Sequence, residues 1–225
     1  MRPTKGIYIL LFLLLFIQIT YAEIPSPEQF LGFKVGAARK LADMHQIIDY
    51  FKLLGEMSER VVVKDLGKTT EGNPFIVSFI TSVKNQRNLE TFRNNQQLLA
   101  DPRKITDQEA ERIIAQGKAI VMINCSIHAT EIGASQMAMQ LAYDLATKND
   151  KTTKEILDNV ILLLTPMHNP DGIKMVVDWY KKYLGTKYEG CRMPWLYHKY
   201  VGHDNNRDWY MFTQVESRLT LKVHN

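Results

Sequence analysis

Cysteine is scarce in this sequence, and patterns typical of repeat or nucleic-acid-binding proteins are missing. The 225 residues include two cysteines, Cys125 and Cys191, which are too few for a disulfide framework. No repeat or low-complexity tract is present, so nothing divides the chain after its N-terminal segment. The formal net charge is only +4, and no segment combines basic and aromatic residues in the manner of a polyanion site. No nucleic-acid partner is therefore expected.

Long apolar runs are also missing, except near the N-terminus. There, Arg2 and Lys5 precede an apolar run over Ile7–Ile17, and small residues follow. This pattern is typical of a signal peptide, and the run is too short to span a bilayer comfortably. We predict a cleaved signal peptide over residues 1–22 and a globular region over 23–225. The protein is then secreted or periplasmic, without a stable membrane span after cleavage.

The remaining composition is that of an ordinary globular protein, with 45% hydrophobic and 23% charged residues. Strands are predicted over Val61–Leu66 and Phe75–Ile80, which form a hairpin, and over Ala119–Cys125, which is expected to be buried. Val160–Thr165 is continuously apolar, as in a strand buried on both faces. Because strands alternate with helices, the predicted fold class is α/β: a mixed, mainly parallel sheet flanked by helices on both faces.

Helices are predicted where apolar residues recur at helical spacing or where a capping box occurs. One such pattern begins at Leu41 and stops near Gly55, and two prolines make the preceding residues 23–32 an extended lead-in. The aromatic-rich residues 179–200 are predicted to form a long surface loop that walls a cleft. Two capping boxes open further helices, at Thr106 with Glu109 and at Thr152 with Glu155.

A polar turn follows the apolar run Ala119–Cys125 and precedes a predicted helix. It contains His128 and Glu131, at the strand end where α/β sheets place their functional groups. Imidazole and carboxylate are ordinary zinc ligands, and catalytic zinc typically takes three protein ligands and a water. We interpret the pair as two ligands of a metal site, the alternative being a solvated pair on a helix face. Asn169–Gly172, after the next strand, is predicted to be a tight turn at the same edge.

A second polar loop contains Asn206 and Arg207. An arginine fork with a neighbouring amide recognises a carboxylate through two parallel hydrogen bonds. The alternative reading is an arginine that forms a salt bridge with Asp204 or Asp208. The residues alone leave these two readings open.

Three motifs in this order resemble the metallocarboxypeptidase family of zinc exopeptidases, the carboxypeptidase A-like enzymes. They are His128-x-x-Glu131, Asn169-Pro170-Asp171-Gly172 and Asn206-Arg207-x-Trp209. The resemblance extends from about Val61 to the end of the chain, and the segments HATEIGASQ and GHDNNRDW are similar to those of large secreted bacterial-type members. It implies a zinc-exopeptidase fold and a Zn²⁺ cofactor held by His128 and Glu131. It also implies a peptide substrate whose free C-terminal carboxylate binds Asn206 and Arg207.

The family pattern is incomplete in this sequence. By the resemblance, the third zinc ligand and the general-base glutamate lie beyond Asn225, and His224 is too close to Arg207 to be that ligand. Thr130 stands where many members have an arginine, and Arg192 is a poor match to the arginine that polarises the scissile carbonyl. We therefore assign no catalytic residue, and expect a truncated N-terminal portion of such a domain with little or no hydrolytic activity alone.

The leading functional hypothesis is zinc-dependent release of C-terminal amino acids from peptides. One alternative is a non-catalytic homologue that binds carboxylates or peptides. Another is a zinc amidase or deacylase of the same fold.

Overall fold

The structure is a computed structural model that describes residues 23–195, 198 and 200–224. The predicted signal peptide, residues 1–22, lies outside the described residues. Across the described ranges, every helix is too short or too polar to span a bilayer.

Four strands form one mixed sheet, flanked by helices as predicted. They are β1 (Val61–Lys68), β2 (Pro74–Ile80), β3 (Ala119–Asn124) and β4 (Val160–Thr165), in the order β1-β2-β4-β3. Strands β3 and β4 are parallel, whereas β2 pairs antiparallel with both β1 and β4. The expected predominance of parallel pairing therefore does not hold among the described strands, because the short hairpin turn reverses β2.

Nine helices and two 3₁₀ turns accompany the strands within the described ranges. The helices are α1 (Pro27–Leu31), α2 (Met44–Met57), α3 (Val83–Gln86), α4 (Leu89–Ala100), α5 (Asp107–Gln116), α6 (Ile132–Thr147), α7 (Lys151–Asn159), α8 (Pro170–Tyr183) and α9 (Val215–His224). The 3₁₀ turns are Pro102–Lys104 and Asn205–Arg207.

Two boundaries in the N-terminal part differ from the predictions, each for a local reason. Residues 23–32 contain helix α1 instead of an extended lead-in, because Ser26 and Gln29 form a capping box. Helix α2 continues through Gly55 instead of stopping there. A β-carbon at Gly55 would lie 3.1 Å from Cγ2 of Val63, so glycine lets the helix pack closely on β1.

The two predicted capping boxes have different outcomes. Thr106 and Glu109 form the expected box at the start of α5. Helix α7 is instead capped by Asp150, whose carboxylate accepts hydrogen bonds from the backbone N–H of Thr153 at 3.0 Å and from its hydroxyl at 2.7 Å. The box predicted at Thr152 is therefore wrong, since an aspartate two residues earlier caps the helix.

Helix α8 replaces two predicted irregular segments. Asn169–Gly172 is the start of this helix, not an isolated tight turn. Asn169 Oδ1 accepts a hydrogen bond from the backbone N–H of Gly172 at 2.9 Å, and Pro170 occupies the first helical position. The helix continues to Tyr183, so the predicted loop over 179–200 is helical in its first five residues.

Apolar side chains of the central strands pack on both faces of the sheet. Leu162 and Leu164 of β4 belong to a large core cluster with α2, α6 and α8. Ile161 and Leu163 face the opposite side, towards α4 and α9. The prediction that β4 is buried on both faces is confirmed.

Strand β3 is less buried than its sequence indicated. It pairs with β4 on one side and, within the described residues, with no strand on the other. Ala119, Ile120 and Val121 are exposed, so the expectation of a buried strand is wrong for its first half. Cys125, just after β3, is buried as a core residue and unpaired.

Candidate functional site

The turn after β3 brings His128 and Glu131 to the start of α6. Ser126 adopts a left-handed conformation with φ of 51°, which is uncommon for a residue with a side chain. Its hydroxyl lies 2.8 Å from the carbonyl of Glu131 and 2.7 Å from the hydroxyl of Ser135. The turn closes where the backbone N–H of Glu131 donates to the carbonyl of His128 at 3.0 Å. The predicted strand, turn and helix are confirmed.

His128 lies between two carboxylates. Its Nδ1 atom is 3.1 Å from Oε1 of Glu131, and its Nε2 atom is 3.1 and 3.0 Å from the two oxygens of Asp204. Glu131 is about half exposed and Asp204 mostly covered. Because a carboxylate only accepts hydrogen bonds, a neutral imidazole, which has one N–H, can donate to only one of the two; in the tautomer protonated at Nε2 it donates to Asp204. Its Nδ1 lone pair then faces Glu131.

Two acceptors that face each other at this distance require a cation between them. A proton meets this requirement, and the hydrogen bond to Glu131 accordingly raises the pKa of His128, assisted by Asp204 and opposed by burial. A metal ion meets it equally well. Two ligands about 2.1 Å from a tetrahedral zinc are themselves about 3.4 Å apart, close to the 3.1 Å observed. The pair fits zinc in ligand type and spacing, although the described residues contain no group of three metal-binding side chains.

Asp204 links the second polar loop to His128. Besides binding the imidazole, its carboxylate accepts a hydrogen bond from the backbone N–H of Asn206 at 2.8 Å. Its carbonyl accepts one from the backbone N–H of Arg207 at 2.8 Å. Asn206 and Arg207 are exposed. The loop proposed to bind a carboxylate therefore adjoins the pair proposed to bind a metal.

The salt-bridge alternative for Arg207 finds no support in the described residues. Asp204 binds His128, and Asp208 binds His203 and the segment that precedes α9. In the part of the chain that the structure describes, neither aspartate forms an ion pair with Arg207. The role of Asp204 was missed by sequence reasoning. A carboxylate two residues before the Asn-Arg pair was the available signal.

Asp171, within the second motif, has a structural role that the sequence did not indicate. It is buried and accepts hydrogen bonds from the hydroxyl of Thr69 at 2.6 Å, Nδ2 of Asn73 at 2.7 Å and the hydroxyl of Tyr200 at 3.0 Å. Thr69 and Asn73 lie in the turn between β1 and β2. Asp171 thus connects that turn to the start of α8.

Aromatic residues of the segment 179–200 line a cavity, as predicted. The cavity has a volume of about 310 Å³, and its lining includes Trp179, Trp195 and Tyr200 together with Asp171. His128, Glu131 and Asp204 do not line it. It therefore lies apart from the candidate metal position.

Comparison with known proteins gives one family match and several structural matches. A family model described as zinc carboxypeptidase matches residues 47–221. A metallo-carboxypeptidase from Burkholderia cenocepacia aligns with 80% of this chain and 37% of its own, at 17% identity and a TM-score of 0.52. The carboxypeptidase A from Helicoverpa armigera aligns with 88% of this chain and 47% of its own, at 16% identity and a TM-score of 0.51. A comparison with curated protein sequences finds no match.

These comparisons differ in what they show. The family model covers well over half of the chain, whereas the structural matches, at their low identity, indicate a shared fold only. The chain spans less than half the length of either solved structure.

Proposed function

Because the chain belongs to the zinc carboxypeptidase family, we propose that it contributes the first two zinc ligands and the carboxylate anchor of a secreted or periplasmic metallocarboxypeptidase. The reaction is hydrolysis of the last peptide bond of a substrate with a free C-terminal carboxylate. The observation that supports this most directly is the link from His128 through Asp204 to Arg207.

Each described group has one task in this proposal. His128 and Glu131 would hold Zn²⁺, and Asp204 would orient the imidazole by accepting its Nε2 proton, which leaves Nδ1 as the metal-binding atom. When bound there, Zn²⁺ supplies Lewis acidity and lowers the pKa of a bound water. Arg207, assisted by Asn206, binds the substrate carboxylate through two parallel hydrogen bonds. This binding sets which peptide bond lies at the metal.

The proposal also limits what these residues achieve alone. They supply two zinc ligands, and no group of three exists in the described ranges. We expect weak metal affinity and little or no hydrolysis from them, since the third ligand and the general base must come from elsewhere. The secreted or periplasmic location rests on the signal-like pattern of residues 1–22.

A peptide pair that differs only at its C-terminus tests the proposal. The full-length protein is expected to release the last amino acid from a peptide with a free carboxylate, and to leave the C-terminally amidated peptide intact. A chelator should abolish release, and added Zn²⁺ should restore it. Equal cleavage of both peptides would contradict the carboxylate anchor and favour an amidase. Release that the chelator does not affect would contradict the metal site.

A further inference from the structure

We propose that Asp208 is a positioning residue that fixes the main chain of Arg207, so that the guanidinium meets the substrate carboxylate at a defined place. This inference rests on the proposed function. It concerns a residue outside the metal and carboxylate set described above, and it follows from the hydrogen bonds of one buried carboxylate.

Asp208 has no solvent exposure, and both of its carboxylate oxygens are occupied. Oδ1 accepts hydrogen bonds from the backbone N–H of Thr213 at 3.1 Å and from its hydroxyl at 2.5 Å, and lies 3.2 Å from Nε2 of His203. Oδ2 accepts one from the backbone N–H of Gln214 at 2.9 Å. Burial alone would raise the pKa of Asp208, but these hydrogen bonds outweigh it and hold the pKa well below its usual value. The carboxylate therefore remains charged at neutral pH.

Hydrogen bonds hold the main chain of Arg207 on both sides, at Asp204 and at Asp208. On one side, its backbone N–H donates to the carbonyl of Asp204, whose carboxylate binds His128. On the other, the next residue is Asp208, whose own N–H closes the 3₁₀ turn on the carbonyl of Asn205 at 3.1 Å. The side chain of Asp208 then binds the residues directly before α9. The main chain of Arg207 is thus held between the turn that follows β3 and the segment that precedes α9.

The segment that Asp208 binds is strained, which makes the anchor necessary. Phe212 has φ of 51°, and a bulky residue in this region stores strain unless its surroundings compensate. Its N–H donates to the carbonyl of Asp208 at 2.7 Å. From the other side, Nη1 of Arg218 in α9 donates to the carbonyl of Thr213 at 2.8 Å. Without the carboxylate of Asp208, this turn loses two backbone partners and can relax.

The side chain of Arg207 does not supply this restraint itself. It is exposed, and the described residues offer it neither an ion pair nor a hydrogen bond. Asp208, although adjacent and charged, directs both oxygens towards Thr213 and Gln214. Asp208 thus restrains the backbone while leaving the guanidinium available to a carboxylate ligand.

Steady-state kinetics of the full-length, zinc-loaded protein test this assignment. With a peptide substrate bearing a free carboxylate, Asp208→Asn is expected to raise KM roughly 10-fold and to change kcat much less, since one or two charge-assisted hydrogen bonds are weakened. The matched control is Asp150→Asn, which alters a cap with the same N–H and hydroxyl contacts to a threonine. It should leave KM unchanged and cost little stability, because asparagine caps a helix about as well as aspartate.

A double-mutant cycle separates positioning from general damage. Arg207→Gln should raise KM roughly 10- to 100-fold, and adding Asp208→Asn to it should change KM little further, because the positioned group is gone. If Asp208→Asn leaves KM unchanged, or raises it equally in both backgrounds, the positioning role is wrong. If Arg207→Gln itself leaves KM unchanged, the carboxylate anchor fails instead. Should Asp208→Asn not fold, Thr213→Val removes one of its donors and must raise KM in the same direction.

Discussion

The body of the sheet and its carboxyl edge are held together by different interactions. In the body, β4 and its neighbours pack through aliphatic side chains that are almost completely buried. At the edge, His128, Asp204 and Asp208 connect the loops through charged hydrogen bonds. Burial of apolar surface provides most of the free energy of folding, whereas charged hydrogen bonds fix geometry. Changes in the body should therefore alter stability, and changes at the edge should alter ligand binding.

The largest expected effect lies in the body. Leu164→Ala removes a fully buried side chain and should lower the free energy of unfolding by roughly 3 to 5 kcal/mol, through lost burial and the cavity that remains. Denaturant unfolding measures this. Val121→Ala on the exposed part of β3 is the control and should cost less than about 1 kcal/mol. Equal losses would contradict the difference between the two strands.

His168 lies where body and edge meet, and should make stability depend on pH. It is fully buried near Phe75 and Trp209, and burial lowers its pKa from 6.5 to about 4. Between these values the unfolded chain binds a proton more readily than the folded chain. The free energy of unfolding should have its full value above pH 6.5. It should fall by about 3 kcal/mol as the pH drops to 4. His168→Gln should show a flatter pH dependence of unfolding. An unchanged slope would exclude this residue as its source.

At the edge, Asp204→Asn should weaken zinc binding more than it weakens the fold. The amide can offer Nε2 of His128 an acceptor but no charge, and loss of such an outer partner typically costs roughly 10- to 100-fold in metal affinity. Competition with a chromophoric chelator measures the affinity. Asp144→Asn, which removes a surface ion pair with Lys148, should leave it unchanged. A variant at Asp204 that binds zinc normally would show that the carboxylate does not orient the ligand.

The smallest effect on stability is expected at β3, the exposed outer strand of the sheet. Ile120→Lys should change the free energy of unfolding by less than about 0.5 kcal/mol, because the side chain is exposed. If the parent self-associates through β3, the added charge should reduce that association, since charged residues protect open strand edges. Sedimentation velocity measures the association. If the variant associates as strongly as the parent, the unpaired side of β3 is not the contact surface.

Local sequence patterns predicted most helices and strands correctly, but not which elements lie beside them. The apolar run of β4 and the capping box at Thr106 were sufficient, because both signals lie within the element itself. The exposure of β3 could not be predicted, since its apolar residues resemble those of β4 and only the strand order places it at an edge.

In the candidate site, too, residue types could be read from the sequence, but contacts between segments could not. His128, Glu131 and Arg207 could be selected because their residue types suit a metal and a carboxylate. Asp204 and Asp208 were not given their roles. The imidazole that Asp204 binds lies 76 positions upstream, and Asp208 binds a turn whose left-handed residue, Phe212, no residue pattern indicated. Gly55 was misread for a related reason: its space is occupied by Val63 of another element.

The central claim is that His128 and Glu131 together bind zinc. Zinc bound per chain should be measured after dialysis against micromolar Zn²⁺, for the full-length protein and for the variants His128→Gln and Glu131→Gln. Near-stoichiometric zinc in the parent, with a large loss in both variants and an unchanged fold by circular dichroism, is the predicted result. Zinc retained at the parental level in either variant would contradict the claim.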